Sequence, residues 1–160
     1  MIQHATMLGA DVPVFIKGTT CFAEGIGEIL KTVPYKNRYY LVATPNCSVP
    51  TKELFASDIL KKDYPVRSFE ELLSAKFENC FTPVVVQKFK EVKNLLERLS
   101  EFGDACMSGS GSSCFVAFDS YDEAEKAKMA ISDICKSCFV AKSVDRSLVL
   151  CALDSFPESP

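Results

Sequence analysis

Three short stretches of this chain hold residue types that do chemistry. Ser108-Gly109-Ser110-Gly111-Ser112-Ser113 puts four hydroxyls and two glycines into one tight loop. Backbone N–H groups can approach an anion closely there, because nothing on the glycines blocks the way. The loop leads into a strand and no Gly-Lys-Ser/Thr follows, so it is neither a Walker-type loop nor a dinucleotide fingerprint. It reads either as a hairpin turn or as an anion-holding loop. In "LGADVPVFIKG", Asp11 is a lone carboxylate at the mouth of an apolar run. With Pro13 suited to a first helical turn, Asp11 is either an N-cap or a general base shielded from water by its neighbours. In "NCSVPTKELF", Thr51 opens a helix and Phe55 lies four residues on, over the same turn. The pair is either an N-cap with a core phenylalanine, or a hydroxyl and a ring that hold a planar base with a polar attachment.

The elements around these stretches follow from spacing. Residues 1–7 are too short for an element. Strands are expected at 19–24 and 27–33, around Gly25 and Gly27, and at 38–44, where "RYYLVAT" is rich in β-formers. Helices are expected from Thr51 through Leu60, and after Ser68, where Glu71 three residues on completes a capping box. A long helix is expected over 84–102, with Val85, Phe89, Val92, Leu96, Leu99 and Phe102 on one stripe and Gly103 as its stop. A strand at 114–120 leads into a helix opened by a second box, Ser120 with Glu123, whose buried face is Ala124, Ala127, Ile131 and Ile134. A strand at 137–143 closes the pattern, and 154–160 read as a loose tail. The class is α+β, a helical layer on a small sheet.

Composition excludes several functions. The net charge of -3 and pI near 5.3 give no bulk attraction to nucleic acid or to an anionic membrane. No apolar run approaches the ~18 residues of a membrane span. The amino terminus has no basic segment followed by a long apolar stretch, as a secretion signal would. The 8 cysteines are accordingly read as reduced. Cys21, Cys106, Cys114 and Cys151 lie in or beside apolar runs and behave as small hydrophobes. Cys135 and Cys138 form a lone CxxC, and the single histidine, His4, is remote in sequence, so too few ligands stand together for a metal site or a redox motif.

Taken in order, "LGADVPVFIKGTTCFAEGIGEIL", "YLVATPNCSVPTKELF" and "MSGSGSSCFVAFDS" resemble the carboxyl-terminal part of the galactokinase, homoserine kinase, mevalonate kinase and phosphomevalonate kinase superfamily. The likeness is to its branch acting on 4-diphosphocytidyl-2-C-methyl-D-erythritol. "FENCFTPVVVQKFKEV" looks like that branch's asparagine-centred helical region. The resemblance covers nearly the whole chain.

It implies a two-domain small-molecule kinase. Residues 1–36 would be the tail of its amino-terminal ATP-binding domain, and 37–153 its ferredoxin-like carboxyl-terminal domain. It further implies transfer of phosphate from ATP, with Mg2+ on the phosphates, to the 2-hydroxyl of the cytidine-diphosphate-linked substrate in non-mevalonate isoprenoid synthesis. By resemblance Asp11 matches the catalytic aspartate, and Pro50, Thr51 and Phe55 match the substrate contacts. Ser108, Gly109, Ser110 and Gly111 match the loop beside the phosphates.

The family's glycine-rich phosphate loop and catalytic lysine have no counterpart in these 160 residues. The chain is therefore expected to be a truncated or split kinase that needs an amino-terminal half and is inactive alone. A non-catalytic ferredoxin-like binding module derived from the same family is the alternative. The resemblance places either in a bacterial-type cytoplasm, or in a plastid stroma if a targeting segment precedes Met1.

Overall fold

Tyr39–Thr44 is β-branched and aromatic, and it takes the centre of a four-stranded antiparallel sheet. The computed structural model describes residues 2–34 and 36–155, apart from the side chain of Leu73. In chain order the elements are α1 (Ile2–Leu8), α2 (Val12–Lys17), β1 (Cys21–Glu24), β2 (Ile29–Thr32), β3 (Tyr39–Thr44), α3 (Thr51–Phe55), α4 (Phe69–Ser74) and α5 (Thr82–Lys88). They continue with α6 (Lys90–Ser100), β4 (Cys106–Met107), β5 (Cys114–Phe118), α7 (Tyr121–Ile131), β6 (Ser137–Lys142) and α8 (Leu148–Asp154).

By contact the chain falls into two compact units. Arg38–Lys142 is one; Met1–Asn37 with Ser143–Pro160 is the other. Residues 143–155 therefore group with the amino-terminal segment, whereas the sequence reading assigned 143–153 to the carboxyl-terminal domain. Of the tail expected at 154–160, residues 156–160 lie outside the described residues, and Asp154 ends α8.

The larger unit runs strand, helix, strand, strand, helix, strand, with β3, β4, β5 and β6 in the spatial order β4-β5-β3-β6. That is the ferredoxin-like arrangement. β3 pairs with β5 from Tyr39↔Phe118 to Ala43↔Cys114, and with β6 from Tyr39↔Lys142 to Thr44↔Ser137. Alternation puts Leu41 and Ala43, with Cys114 and Val116, under the helices, where all four are fully buried. Val92, Leu95 and Leu99 of α6 and Ala124, Ala127 and Ile131 of α7 close the core from above. Each large aliphatic side chain buried there contributes about 1.5–3 kcal/mol. Cys106 and Cys114 are part of this interior, whereas Cys151 is exposed.

Several local expectations change. The helix expected over 84–102 is two helices, because Phe89 adopts an extended conformation (φ -123°, ψ 97°) between them. Both pieces cover the same core, so the apolar stripe runs unbroken through the junction. The helix at Thr51 ends at Phe55, since Ser57 and Asp58 favour turns. Ile134 is exposed, because α7 ends at Ile131 and a 3-10 turn over Ser132–Ile134 rotates it away. At Ser120 the hydroxyl accepts the Glu123 N–H, which is one arm of the expected box. α1, α8 and the two-residue β4 were not expected.

The smaller unit joins α1, α2, the β1–β2 hairpin and α8. β1 and β2 pair from Cys21↔Thr32 to Glu24↔Ile29. Thr19 bridges Arg146, and the Ser147 N–H donates to the Gly18 carbonyl at 2.7 Å.

The capping box at Ser68 is complete: the Glu71 N–H donates to its hydroxyl and the Ser68 N–H donates to the Glu71 carboxylate at 2.6 Å. That bond to the Ser68 N–H holds the Glu71 carboxyl below the usual range. A carboxyl lowered in the folded state stabilises above its unfolded pKa and stops doing so as pH falls through the folded value. An NMR titration is expected to place the Glu71 midpoint below the ordinary ~4.3, with α4 amides losing protection at that midpoint. A midpoint at or above the ordinary value would refute the box as a stabilising contact.

Candidate functional site

The serine–glycine loop closes the β4–β5 hairpin. The Ser108 N–H donates to the Ser113 carbonyl at 2.9 Å, and the Gly111 N–H to the Ser108 carbonyl at 3.0 Å. Gly109 and Gly111 take positive φ, 54° and 87°. A Cβ at Gly111 would also stand 2.8 Å from the Met107 sulfur, so glycine is required there twice over. The Ser112 hydroxyl, buried, donates to the Cys47 carbonyl at 2.9 Å, and the Ser113 and Thr44 hydroxyls share a hydrogen bond of 2.8 Å. The N–H groups of Gly109 and Ser110 have no acceptor among the described residues. The hairpin reading is thus correct, and two donors are left over at its tip.

Thr51 does not cap α3. Pro50 holds the N-cap position, and the Thr51 hydroxyl instead hydrogen-bonds the Ser110 hydroxyl at 2.8 Å. Phe55 is not a core residue. The residue is 59% exposed, and its ring packs edge-on against Phe81 with centroids 5.0 Å apart. Pro50, Thr51, Phe55 and the loop Ser108–Gly111 therefore belong to one region of the larger unit.

Asn79 ties that region together; it is the asparagine of the "FENCFTPVVVQKFKEV" stretch that the resemblance picked out, where it was given no role of its own. Its amide nitrogen donates to the carbonyls of Met107 and Gly109, both at 2.7 Å. Its amide oxygen accepts the Phe81 N–H at 2.9 Å. One side chain thus holds the loop to the start of α5. The available signal was a polar residue set between Phe77 and Phe81 just before Thr82-Pro83. A cavity of ≈ 950 Å³ opens beside it, lined by Phe77, Asn79, Thr82, Cys106 and Met107 among others.

Asp11, in the smaller unit, stands at the N-cap position of α2 with helical backbone angles and no side-chain cap bond. It is exposed, so within this unit it is neither a cap nor shielded from water. Its backbone position is set by Gly27, whose φ is 104° and whose missing Cβ leaves room for the Ala10 carbonyl to press against it. The β1–β2 turn thus seats the residue immediately before Asp11.

Residues 56–137 match the family model described as GHMP kinases C terminal, just over half of the chain. The chain belongs to the GHMP kinases. Among curated GHMP kinase relatives, it is 39% identical over 142 residues to the 4-diphosphocytidyl-2-C-methyl-D-erythritol kinase of Thiobacillus denitrificans. That alignment takes in 89% of this chain and 51% of the relative, so the chain spans about half the relative's length. A crystal structure of 4-(cytidine 5'-diphospho)-2C-methyl-D-erythritol kinase superposes with a TM-score of 0.74 at 26% identity. It covers 88% of this chain and 56% of that one. The GHMP kinase model includes Asn79 and the whole serine–glycine loop but begins just after Phe55.

Asn79→Ala is expected to leave the Met107 and Gly109 carbonyls without their donor. The cost is about 1–3 kcal/mol, as for a lost partner of a partly buried acceptor, read by urea denaturation. Amide exchange at Ser108 and Gly111 should accelerate in the same variant. Unchanged exchange there would show that the loop does not depend on Asn79.

Proposed function

We propose that this chain is the carboxyl-terminal part of an ATP-dependent kinase that phosphorylates the 2-hydroxyl of 4-diphosphocytidyl-2-C-methyl-D-erythritol in isoprenoid synthesis. The observation that carries the reading is the Thr51–Ser110 hydrogen bond. It joins a residue matched to the substrate contacts with the loop matched to the phosphates. The 39% identity to a kinase of that name supports it.

In this reading Pro50 and Thr51 fix the polar attachment of the substrate, and the exposed face of Phe55 stacks on the cytosine. The two unspent N–H donors of Gly109 and Ser110 face phosphate oxygen. Asp11 accepts or orients the proton of the attacking hydroxyl. Phosphoryl transfer asks little covalent chemistry of the protein; it asks for positioning and charge neutralisation. Magnesium would be held by the ATP phosphates rather than by a protein cage, since among the described residues no three His, Cys, Asp or Glu side chains stand together.

The partner is an amino-terminal half bearing the phosphate loop and the lysine. The smaller unit is suited to receive one: Met7, Leu8 and Phe15 are 85%, 82% and 76% exposed. Exposed apolar residues in such number mark an interaction surface. The chain alone is expected to bind a hydrophobic dye, and to lose that binding when co-expressed with the amino-terminal half of the Thiobacillus denitrificans kinase. Dye binding unchanged by the added half would count against this partner.

The exposure of Asp11 favours one second reading, a binding module of this family that has lost catalysis. Phosphate transfer separates the two. Joined to the same amino-terminal half, the chain is expected to phosphorylate the cytidine-linked substrate, whereas alone it shows no turnover. Asp11→Asn in the joined protein should lower kcat by about 100- to 10,000-fold, the range for a lost acid–base group. No turnover in the joined protein would leave the module reading standing, and equal activity with and without the carboxylate would overturn the role of Asp11.

A further inference from the structure

Three serines of the loop are spent on one neighbouring stretch of chain. The hydroxyls of Ser113, Ser112 and Ser110 hydrogen-bond Thr44, Cys47 and Thr51, at 2.8, 2.9 and 2.8 Å. The partners advance along one segment as the serines retreat along the other, so the loop clasps the stretch from the end of β3 to the start of α3. The three bonds are not equivalent. Thr44 is already held by its register pair Ser137 and by the Lys136 N–H, which donates to its carbonyl at 2.9 Å. Thr51 belongs to α3. Between them, residues 45–49 form neither helix nor strand, and among the described residues no backbone–backbone hydrogen bond holds them. The side chains of Pro45 and Val49 are buried. Apolar burial is non-directional, so it keeps the stretch against the core without fixing its path. The bond from Ser112 to the Cys47 carbonyl supplies the direction. Ser112 is 8% exposed, the only buried polar residue among those described. A hydroxyl in such a place is costly unless it finds a partner, and Cys47 is that partner.

We infer that Ser112 is a positioning residue: through the Cys47 carbonyl, its hydroxyl sets where Pro50 and Thr51 stand to receive the cytidine-linked substrate. It touches neither substrate nor ATP itself. The inference rests on the kinase reading for the identity of the ligand, and on the three hydrogen bonds for the device. Removing the hydroxyl frees the stretch that delivers Pro50 and Thr51. The loop meanwhile keeps its bonds from Asn79, the Ser108–Ser113 bond and the Gly111–Ser108 bond. The two ligands therefore respond differently. The substrate is held less well in ground state and transition state alike, which raises its KM with kcat unchanged. The loop matched to the ATP phosphates keeps its shape, so the KM for ATP stays where it is.

The test has one arm without chemistry and one with it. In the full chain alone, NMR order parameters of the Cys47, Ser48 and Val49 amides are expected to fall in Ser112→Ala, while those of Ser108 and Gly111 hold. Unchanged values at Cys47, Ser48 and Val49 would overturn the grip of Ser112 on this stretch, whatever the kinetics show. In the chain joined to the amino-terminal half, Ser112→Ala is expected to raise the KM for the cytidine-linked substrate about 3- to 10-fold, the size of one hydrogen bond, with kcat and the KM for ATP unchanged. Thr44→Val is the control. It removes the neighbouring hydroxyl bond from a residue the sheet already holds, so it is expected to lower stability and leave every kinetic constant alone. Ser112→Cys, whose thiol fills the space but donates only weakly, gives the same split if alanine prevents folding. An unchanged substrate KM, or a rise matched by Thr44→Val, would reduce Ser112 to a structural residue and overturn the inference. No turnover in the unsubstituted joined protein would overturn the kinase reading alone. The Kd for the cytidine-linked substrate, by calorimetry, then takes the place of KM, and an equal Kd with and without the Ser112 hydroxyl would overturn the positioning role.

Discussion

Everything at the candidate site hangs on one primary amide. Asn79 spends both N–H donors on carbonyls of the β4–β5 hairpin and its oxygen on the backbone that starts α5. An asparagine is one of few side chains able to give twice and accept once in so small a volume. With the hairpin fixed, Ser112 and Ser113 turn their hydroxyls inward to Cys47 and Thr44, while the Ser110 hydroxyl turns outward to Thr51. The loop is consequently a braced hairpin tip, with most polar groups used for structure and the Gly109 and Ser110 N–H groups without an acceptor among the described residues.

The second unit obeys a steric constraint in place of a hydrogen bond. Gly27 lets the Ala10 carbonyl come closer than any side chain would allow, and Asp11 follows directly. Asp11 faces water, where charges are strongly screened, so backbone packing and not electrostatics decides where its carboxylate stands. The two halves of the proposed chemistry thus rest on different physics: bonding around Asn79, and close approach at Gly27.

The α+β class and three of the four strands were legible because alternation and β-formers mark β3, β5 and β6, and because α7 carries its own cap and a clean apolar face; the ferredoxin-like fold came from the resemblance, and the order β4-β5-β3-β6 from the structure. β4, two residues long, is below the length at which alternation has meaning. The break at Phe89 was invisible because periodicity reports which face is apolar and is blind to one residue's dihedral angles. At the candidate site, residue types drew attention to Thr51 and Ser110, which the structure joins by a hydrogen bond, whereas the capping reading assigned the Thr51 hydroxyl to its own helix end. Its partner lies 59 positions away, and no local rule reaches that far. Resemblance placed Asn79 in an asparagine-centred region, but what it bonds was hidden for the same reason: its partners are 28 and 30 positions distant.

The central place of β3 also governs the order in which the larger unit can assemble. β3 is the first strand of that unit to be synthesised, yet its neighbours are β5 and β6, and its last register pair is Lys142. A chain emerging from the ribosome must therefore hold a strongly β-forming, aromatic segment unpaired until almost all of the unit has been made. Pairings so distant in sequence form slowly and leave edges exposed in the meantime. Nascent chains arrested between β3 and β5 would thus be the species most in need of a chaperone.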